Sequence, residues 1–382
     1  MLLLAAPAAG EPWKLGGDAR YYQFVRVDDP DGGRRDAELG IFRLKLDGGF
    51  SDAVAAEVHG VASVTSPAST AVTSIASGTT RRLFDLQWTV VDEKGLQAVI
   101  ELDRLNVRWE RQDFRLVAGR QAITWGVNFF WPVLDLFAPF SPERIDREYK
   151  PGVDALRLTV PLGSFSQLEV VAAGQGTSLQ RDGSVGALAR VNLGSTDVGF
   201  MAGRFHRDTV AGGFVTANVH GTGVRGEIAF TDSGEPLDAQ VNREQFWRAS
   251  GGLDRQLTSS VSLTAEIAWN GFGVAHPRDY RLVAAADRVR RGEVNSLAKL
   301  YAGASLTWQA HPLLSISGTV LANLNDTSVL LLPHADWSLS DNISIVFGGT
   351  FGIGPGLRSD QSLGSEYGAV PDALYGAIKA YF

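Results

Sequence analysis

Six histidines stand in the 382-residue sequence: His59, His206, His220, His276, His311 and His334. They lie far apart, without the short spacings that let one element present several zinc ligands. Each therefore reads as a solvated or rim histidine, and no metal centre is expected. Cysteine is absent, which removes thiolate metal sites, cysteine nucleophiles and disulfide frameworks together. Gly352-Ile353-Gly354-Pro355-Gly356 has the glycine density of a phosphate-cradling loop. No helix or lysine follows to complete one, so it reads as a strand running out into a loop. No Gly-x-Ser-x-Gly elbow is present. A serine–histidine hydrolase built on adjacent strands would have to use His334 or His220 with a serine such as Ser317, and nothing local singles these out. The expectation is no enzyme, no catalytic group and no cofactor.

Chemistry of another kind is concentrated between residues 119 and 157. Phe129, Phe130, Trp131, Leu134, Leu136, Phe137 and Phe140 are followed by Glu143, Arg144, Asp146, Arg147, Glu148 and Lys150. The first group is too apolar to stand free in water, and the second is too charged for lipid. Two arrangements satisfy both. The rings pack on the inner wall of an enclosure with the charges facing a channel, or the stretch forms an external lid packed on its own rings. In the first case charged groups close to an aqueous path would set ion preference.

The enclosure itself is legible in the alternation of residue types. Val261, Leu263, Ala265, Ile267 and Trp269 alternate with Ser262, Thr264, Glu266, Ala268 and Asn270. Period two places such sets on opposite faces of a β-strand. The same pattern recurs along the chain, and only residues near 281–291 suggest a short helix, in a loop. The polar faces carry Arg43, Lys45, Arg104, Arg108, Arg157, Arg190, Arg225, Arg248 and Lys299, together with Glu57, Glu110, Glu169, Glu227, Asp254, Glu266 and Asp336. Each could equally form a salt bridge between neighbouring strands. Around Arg120 the phase set by Phe114, Leu116 and Ala118 points the guanidinium outward, unless a bulge turns it in.

No run of eighteen apolar residues exists to form a membrane helix. A membrane protein without one must be a closed barrel, the other structure that satisfies every backbone group in lipid. In such a barrel a charge on the lipid face costs about 2–4 kcal/mol at midplane, so the charged faces belong to the lumen. Connections alternate between short turns and longer polar stretches such as 63–95, 125–152 and 271–296. Eighteen antiparallel strands are expected, or sixteen if one hairpin is misread. With eighteen, Trp109, Trp308, Trp337 and Phe382 fall at the lower ends of descending strands. Trp269 ends an ascending strand and Trp247 begins a descending one, so the aromatics form girdles at two interfaces. The net charge of −7 argues against a nucleic-acid partner.

Residues 1–10 resemble the tail of a secretory signal peptide, with an apolar stretch and small residues before Glu11. Residues 11–382 then form one barrel domain, with 125–152 folded inward. At the other end Leu374, Gly376, Ile378, Ala380 and Phe382 alternate with Lys379 and two tyrosines. This terminal strand resembles the assembly signal of Gram-negative outer-membrane β-barrels. About forty residues, running through Gly119-Arg120-Gln121, Trp125-Gly126, Trp131-Pro132 with Asp135, and Pro151-Gly152 with Asp154-Ala155-Leu156-Arg157, resemble a porin-like group of such barrels. The resemblance implies a porin-like shape and not a transported compound. An eighteen-stranded barrel is wide enough for an aqueous passage, and the leading expectation is passive diffusion of small polar or anionic solutes, narrowed by 125–152. The resemblance also implies outer-membrane location, contact with membrane lipid and lipopolysaccharide, and recognition by the outer-membrane assembly machinery. Alternatives are a non-conducting sleeve or scaffold for a partner, a polymer export channel, and a soluble β-protein. No oligomeric interface is assigned.

Overall fold

Alternation becomes strand wherever the sequence shows it. The computed structural model describes residues 12–27, 36–66, 82–176, 182–233, 244–290, 292–360 and 362–382. The stretch read as a leader remnant, 1–10, lies outside the described residues. In chain order the strands are β1 (Lys14–Arg26), β2 (Asp36–Ser51), β3 (Val54–Thr65), β4 (Gln87–Glu93), β5 (Leu96–Glu110), β6 (Arg115–Gln121), β7 (Val153–Pro161), β8 (Gln167–Gly174), β9 (Ser184–Asn192) and β10 (Thr196–Phe205). They continue as β11 (Asp208–Val219), β12 (Thr222–Asp232), β13 (Gln245–Gln256), β14 (Val261–Asn270), β15 (Leu300–His311), β16 (Leu314–Asn323), β17 (Ser328–Ser340), β18 (Ile343–Ile353) and β19 (Ala373–Tyr381). Two short helices, α1 (Tyr280–Ala284) and α2 (Asp287–Arg290), lie between β14 and β15.

All the strand pairings are antiparallel, and β1 closes the sheet by pairing with β19 from Asp18↔Tyr381 to Arg26↔Ala373. Phe382 N–H and Gly17 C=O extend that seam at 3.1 Å. The wall has eighteen strand positions. The nineteenth strand, β4, occupies the space above β6: β5 pairs with β6 along its lower half and with β4 along its upper half. Residues 63–95, expected as one long polar connection, thus contain the end of β3 and all of β4.

The faces sort as lipid physics requires. Phe42, Leu44, Leu105, Val107, Leu156, Ile228, Ile267, Leu306, Phe347 and Ile378 are exposed on the outside, while Arg43, Glu227, Arg248 and Glu266 on the opposite face are buried. Apolar groups outside and charges inside invert the arrangement of a soluble protein. A closed barrel with an apolar exterior is a membrane-spanning barrel, and no helix of the described residues is long and apolar enough to cross a membrane. Trp109, Trp308, Trp337 and Phe382 are exposed near the end of the barrel where β1 begins and β19 ends, and Trp247 and Trp269 are exposed near the other. Phe42 stacks on Phe382 at 5.9 Å, and Trp247 packs on Phe230 at 4.9 Å.

The alternation breaks once in β5. The register passes from Gly60↔Leu102 to His59↔Arg104 and leaves Asp103 unpaired. This bulge turns two consecutive residues, Asp103 and Arg104, to the inside while Ile100 and Leu105 remain outside. Arg120 behaves differently from the bulged alternative considered for it. It stays in register with outward-facing Leu105 and is buried by residues 82–86, which cross the ends of β6 and β7. Its guanidinium donates to Asp154 at 2.8 and 2.9 Å, to Leu102 O at 2.7 Å and to Phe84 O at 2.6 Å. Arg120 is a clamp in the wall and not a lumen group.

Candidate channel constriction

After Gln121 the chain leaves the wall, runs through the barrel interior, and rejoins the wall at Val153. Without strand or helix of its own, this segment must find acceptors for its N–H groups elsewhere. Two wall carboxylates supply them. Glu227 on β12 accepts the backbone N–H of Val127 at 2.5 Å, Asn128 at 2.6 Å and Leu134 at 2.9 Å. Glu266 on β14 accepts Phe130 at 2.8 Å, Trp131 at 3.2 Å, and also Phe129. Glu169 on β8 accepts the indole N–H of Trp125 at 2.5 Å.

Apolar packing completes the hold. Ile123, Trp125, Val133, Leu134, Leu136 and Phe137 bury themselves against Val171, Leu188, Met201, Phe205, Val210 and Phe214, all on the inner face of the wall. Trp125 meets Phe137 edge-on at 4.9 Å. Phe130 and Trp131 join a second cluster with Ala268, Tyr301, Leu321 and Leu330. Most apolar residues of the segment thus pack on the inner face of the wall, while Phe129 is half exposed.

The charged half of the segment faces β1, β2, β5 and β19. The Tyr149 ring lies 4.1 Å from the Arg43 guanidinium, 4.5 Å from Lys45 Nζ and 5.0 Å from the Arg20 guanidinium. Lys45 Nζ also donates to the Tyr149 hydroxyl. Arg20 donates to Asp146 at 2.5 Å and contacts Asp18 at 2.8 Å. Glu148 stands 3.6 Å from Lys379 and 3.8 Å from Arg20. Asp103 gathers Arg43 at 2.7 Å, Arg104 at 2.8 Å and Arg82 at 3.0 Å, and accepts Gly152 N–H at 3.0 Å. This strip alternates in sign, so its arginines are held in place and not free to collapse onto the wall.

The remaining candidates from sequence are dispersed. Arg144 lies 4.9 Å from the Phe140 ring and donates to Asp146 O at 2.7 Å, and Arg147 lies 4.9 Å from the Phe129 ring, with Glu143 beside it. Lys150 pairs with Asp135. Arg108 sits 3.6 Å from Glu110 near the lower rim. Arg157 and Arg190 occupy inward positions away from Tyr149, Arg190 over the Phe214 ring at 5.2 Å. Arg225 pairs with Asp254 at 3.0 Å. Arg248 is buried beneath residues 271–299, donating to Glu293 O at 3.0 Å. Lys299 departs from its expected lumen position: its ammonium lies 5.9 Å from the outward-facing Trp269 ring, at the upper rim. It precedes β15, so the strand's alternation does not govern it.

Sequence reasoning missed Asp18, Arg20, Asp103, Tyr149 and Lys379 at this strip. Arg20 and Lys379 were available from the alternation of the first and last strands. Asp103 was hidden by the bulge, and Tyr149 by being uncharged.

Two further connections cover the upper mouth. In the 271–299 connection Arg288 of α2 pairs with Asp208, and Tyr280 of α1 donates to Asp326 at 2.9 Å. In the 354–372 connection Glu366 accepts Tyr301 hydroxyl at 2.5 Å, Asn323 at 2.7 Å and Leu297 N–H at 3.0 Å. Burial pushes the Glu366 carboxyl up to about 8.

No protein-family model matches the sequence, and no curated protein does. Solved structures are similar in fold. OccAB1 of Acinetobacter baumannii superposes with a TM-score of 0.59 at 8% identity, covering 99% of this chain and 98% of its own. OccK8 (OprE) of Pseudomonas aeruginosa gives 0.58 at 9% identity, covering 98% and 99%. OccD3 (OpdP) of Pseudomonas aeruginosa gives 0.57 at 11% identity, covering 99% and 93%. At these identities the likeness is one of architecture: a closed eighteen-position outer-membrane barrel.

Proposed function

We propose that the protein is an outer-membrane channel of porin type, passing small polar or anionic solutes by passive diffusion, with 125–152 as its constriction. The observation that carries this reading is the Tyr149 ring set among Arg20, Arg43 and Lys45 on the inner wall. An inward segment that only plugged the barrel would gain more from apolar contact along its whole length. Here the half facing β7–β12 is apolar and the half facing β1, β2 and β19 is charged, a division that suits a water-filled passage along that side. The likeness to Occ barrels, which are outer-membrane porins, supports the reading at the level of architecture. Export through residues 1–10, insertion by the assembly machinery through the final strand, and contact of the girdles with lipid and lipopolysaccharide belong to the same proposal.

Reconstitution into planar bilayers tests it. Discrete current steps are expected, with a reversal potential in a salt gradient that favours anions. Well-folded protein that gives no current would remove the channel reading, and a stoichiometric partner occupying the lumen would put the sleeve in its place.

A further inference from the structure

We propose that Asp47, Glu57 and His59 form a divalent-cation site on the lumen wall, suited to a borderline metal such as Zn2+. The site adjoins the Tyr149 strip, with His59 opposite Lys45 in the β2–β3 register, and does not depend on whether the barrel conducts.

Glu57 and His59 are two residues apart on β3 and so share its inward face. Asp47 reaches the same place from β2, directly opposite Glu57 in the register. His59 Nε2 stands 3.3 Å from Glu57 Oε1 and 3.5 Å from Asp47 Oδ1. With metal–ligand bonds of about 2.0–2.2 Å, tetrahedral ligands stand about 3.3–3.5 Å from one another. One ligand atom from each residue can be chosen so that all lie within 4.8 Å, and this is the one such cluster among the described residues.

Two features call for a cation here. Asp47 and Glu57 are like charges directly across a strand pair, an arrangement that destabilises a sheet when nothing lies between them. His59 is 7% exposed, and neither of its ring nitrogens has a hydrogen-bond partner. A buried imidazole with Nδ1 unpartnered and Nε2 held only in ion-pair contact with two carboxylates lacks a hydrogen bond at either nitrogen, a cost that coordination relieves. The nearby cations bind chiefly elsewhere: Arg43 and Arg104 both bind Asp103, and Lys45 binds the Tyr149 hydroxyl. Arg104 Nε also makes a long ion pair with Glu57 Oε1, at 3.9 Å. Asn106 donates to Glu57 Oε2 at 2.9 Å, which orients the other oxygen toward His59, as outer groups do around metal ligands. About half of the Asp47 side chain is exposed, which gives an ion a path of entry.

The test is a titration of the chelator-stripped, detergent-solubilised full chain with ZnCl2, followed calorimetrically and by metal analysis after desalting. One Zn2+ per chain is expected, with affinity falling at least tenfold in both His59→Ala and Glu57→Gln. Folding of each variant is checked by its heat-modifiable migration. Should His59→Ala fail to fold, Glu57→Gln decides, because it keeps the shape and the Asn106 contact. Absence of Zn2+ uptake by the wild type, or uptake weakened less than tenfold in folded variants, would overturn the assignment and leave an ion-pair cluster only.

Discussion

Glu266 Oε2 accepts the backbone N–H of Phe130 at 2.8 Å, across 136 residues of chain. A lumen carboxylate on a barrel strand thus serves as a bracket for main chain and not as a charge presented to solute. Glu227 does the same for Leu134 at 2.9 Å. Each bracket satisfies several N–H groups that the segment, having neither helix nor strand of its own, leaves without a backbone acceptor.

Removing the brackets should therefore release the inward segment. Each buried N–H left without an acceptor costs about 1–3 kcal/mol. Glu227→Ala combined with Glu266→Ala is expected to lower the denaturant midpoint and to give larger, noisier single-channel currents. Currents of wild-type size and steadiness would show that apolar packing alone retains the segment.

Tyr149 fixes three cations along one face of the proposed passage. A cation–π contact is worth about 0.5–2 kcal/mol. Arg43→Met and Tyr149→Ala should each lower the anion-to-cation permeability ratio, by roughly a factor of two or more, while the barrel stays folded. The reversal potential under a tenfold salt gradient reports it, and an unchanged value in both variants would remove this strip from the permeation path.

The Glu366 latch should respond to pH. Its folded carboxyl titrates at about 8, against roughly 4.3 in an open chain. Between these values the docked state binds more protons than the undocked one, so docking weakens as pH rises. The latch contributes fully below about pH 4.3 and is lost as pH passes through about 8. Amide exchange of residues 357–371 should be slow at pH 6 and, after correction for intrinsic rates, faster at pH 9. Glu366→Gln should flatten that dependence; a wild-type profile in the variant would contradict the latch.

The sorting of faces predicts opposite outcomes for one charge. Ile228 is exposed on the outside of β12, and Thr307 lies on the inward set of β15, opposite Ser317. Ile228→Arg is expected to lose about 2–4 kcal/mol of stability in lipid, while Thr307→Arg should be nearly neutral. Folding titrations into vesicles measure both, and equal losses would argue against an exterior that meets lipid.

Much of the wall was legible because alternation is a local property. Val261–Asn270 displays both its faces within ten residues, and the same holds for most strands. Lys299 misled because it lies one residue before the strand whose pattern it was assigned. Asp103 was concealed by a bulge that changes phase without any glycine or proline in β5 to announce it. Glu227 and Glu266 were recognised as inward charges, yet their partners are 93–137 residues away. No periodicity carries information over that distance.

By itself the sequence determined which side of each ribbon is greasy, where the ribbons turn, and hence that the sheet must curl with its apolar face toward lipid. These follow from residue types two apart, which no later contact can rearrange without flipping every side chain in the strand. Tertiary structure decided the closure of β1 on β19, the seating of the segment after Gln121, and the meeting of Asp47, Glu57 and His59. Those depend on which strands become neighbours and on the space left inside once the wall is closed, and neither is encoded at short range.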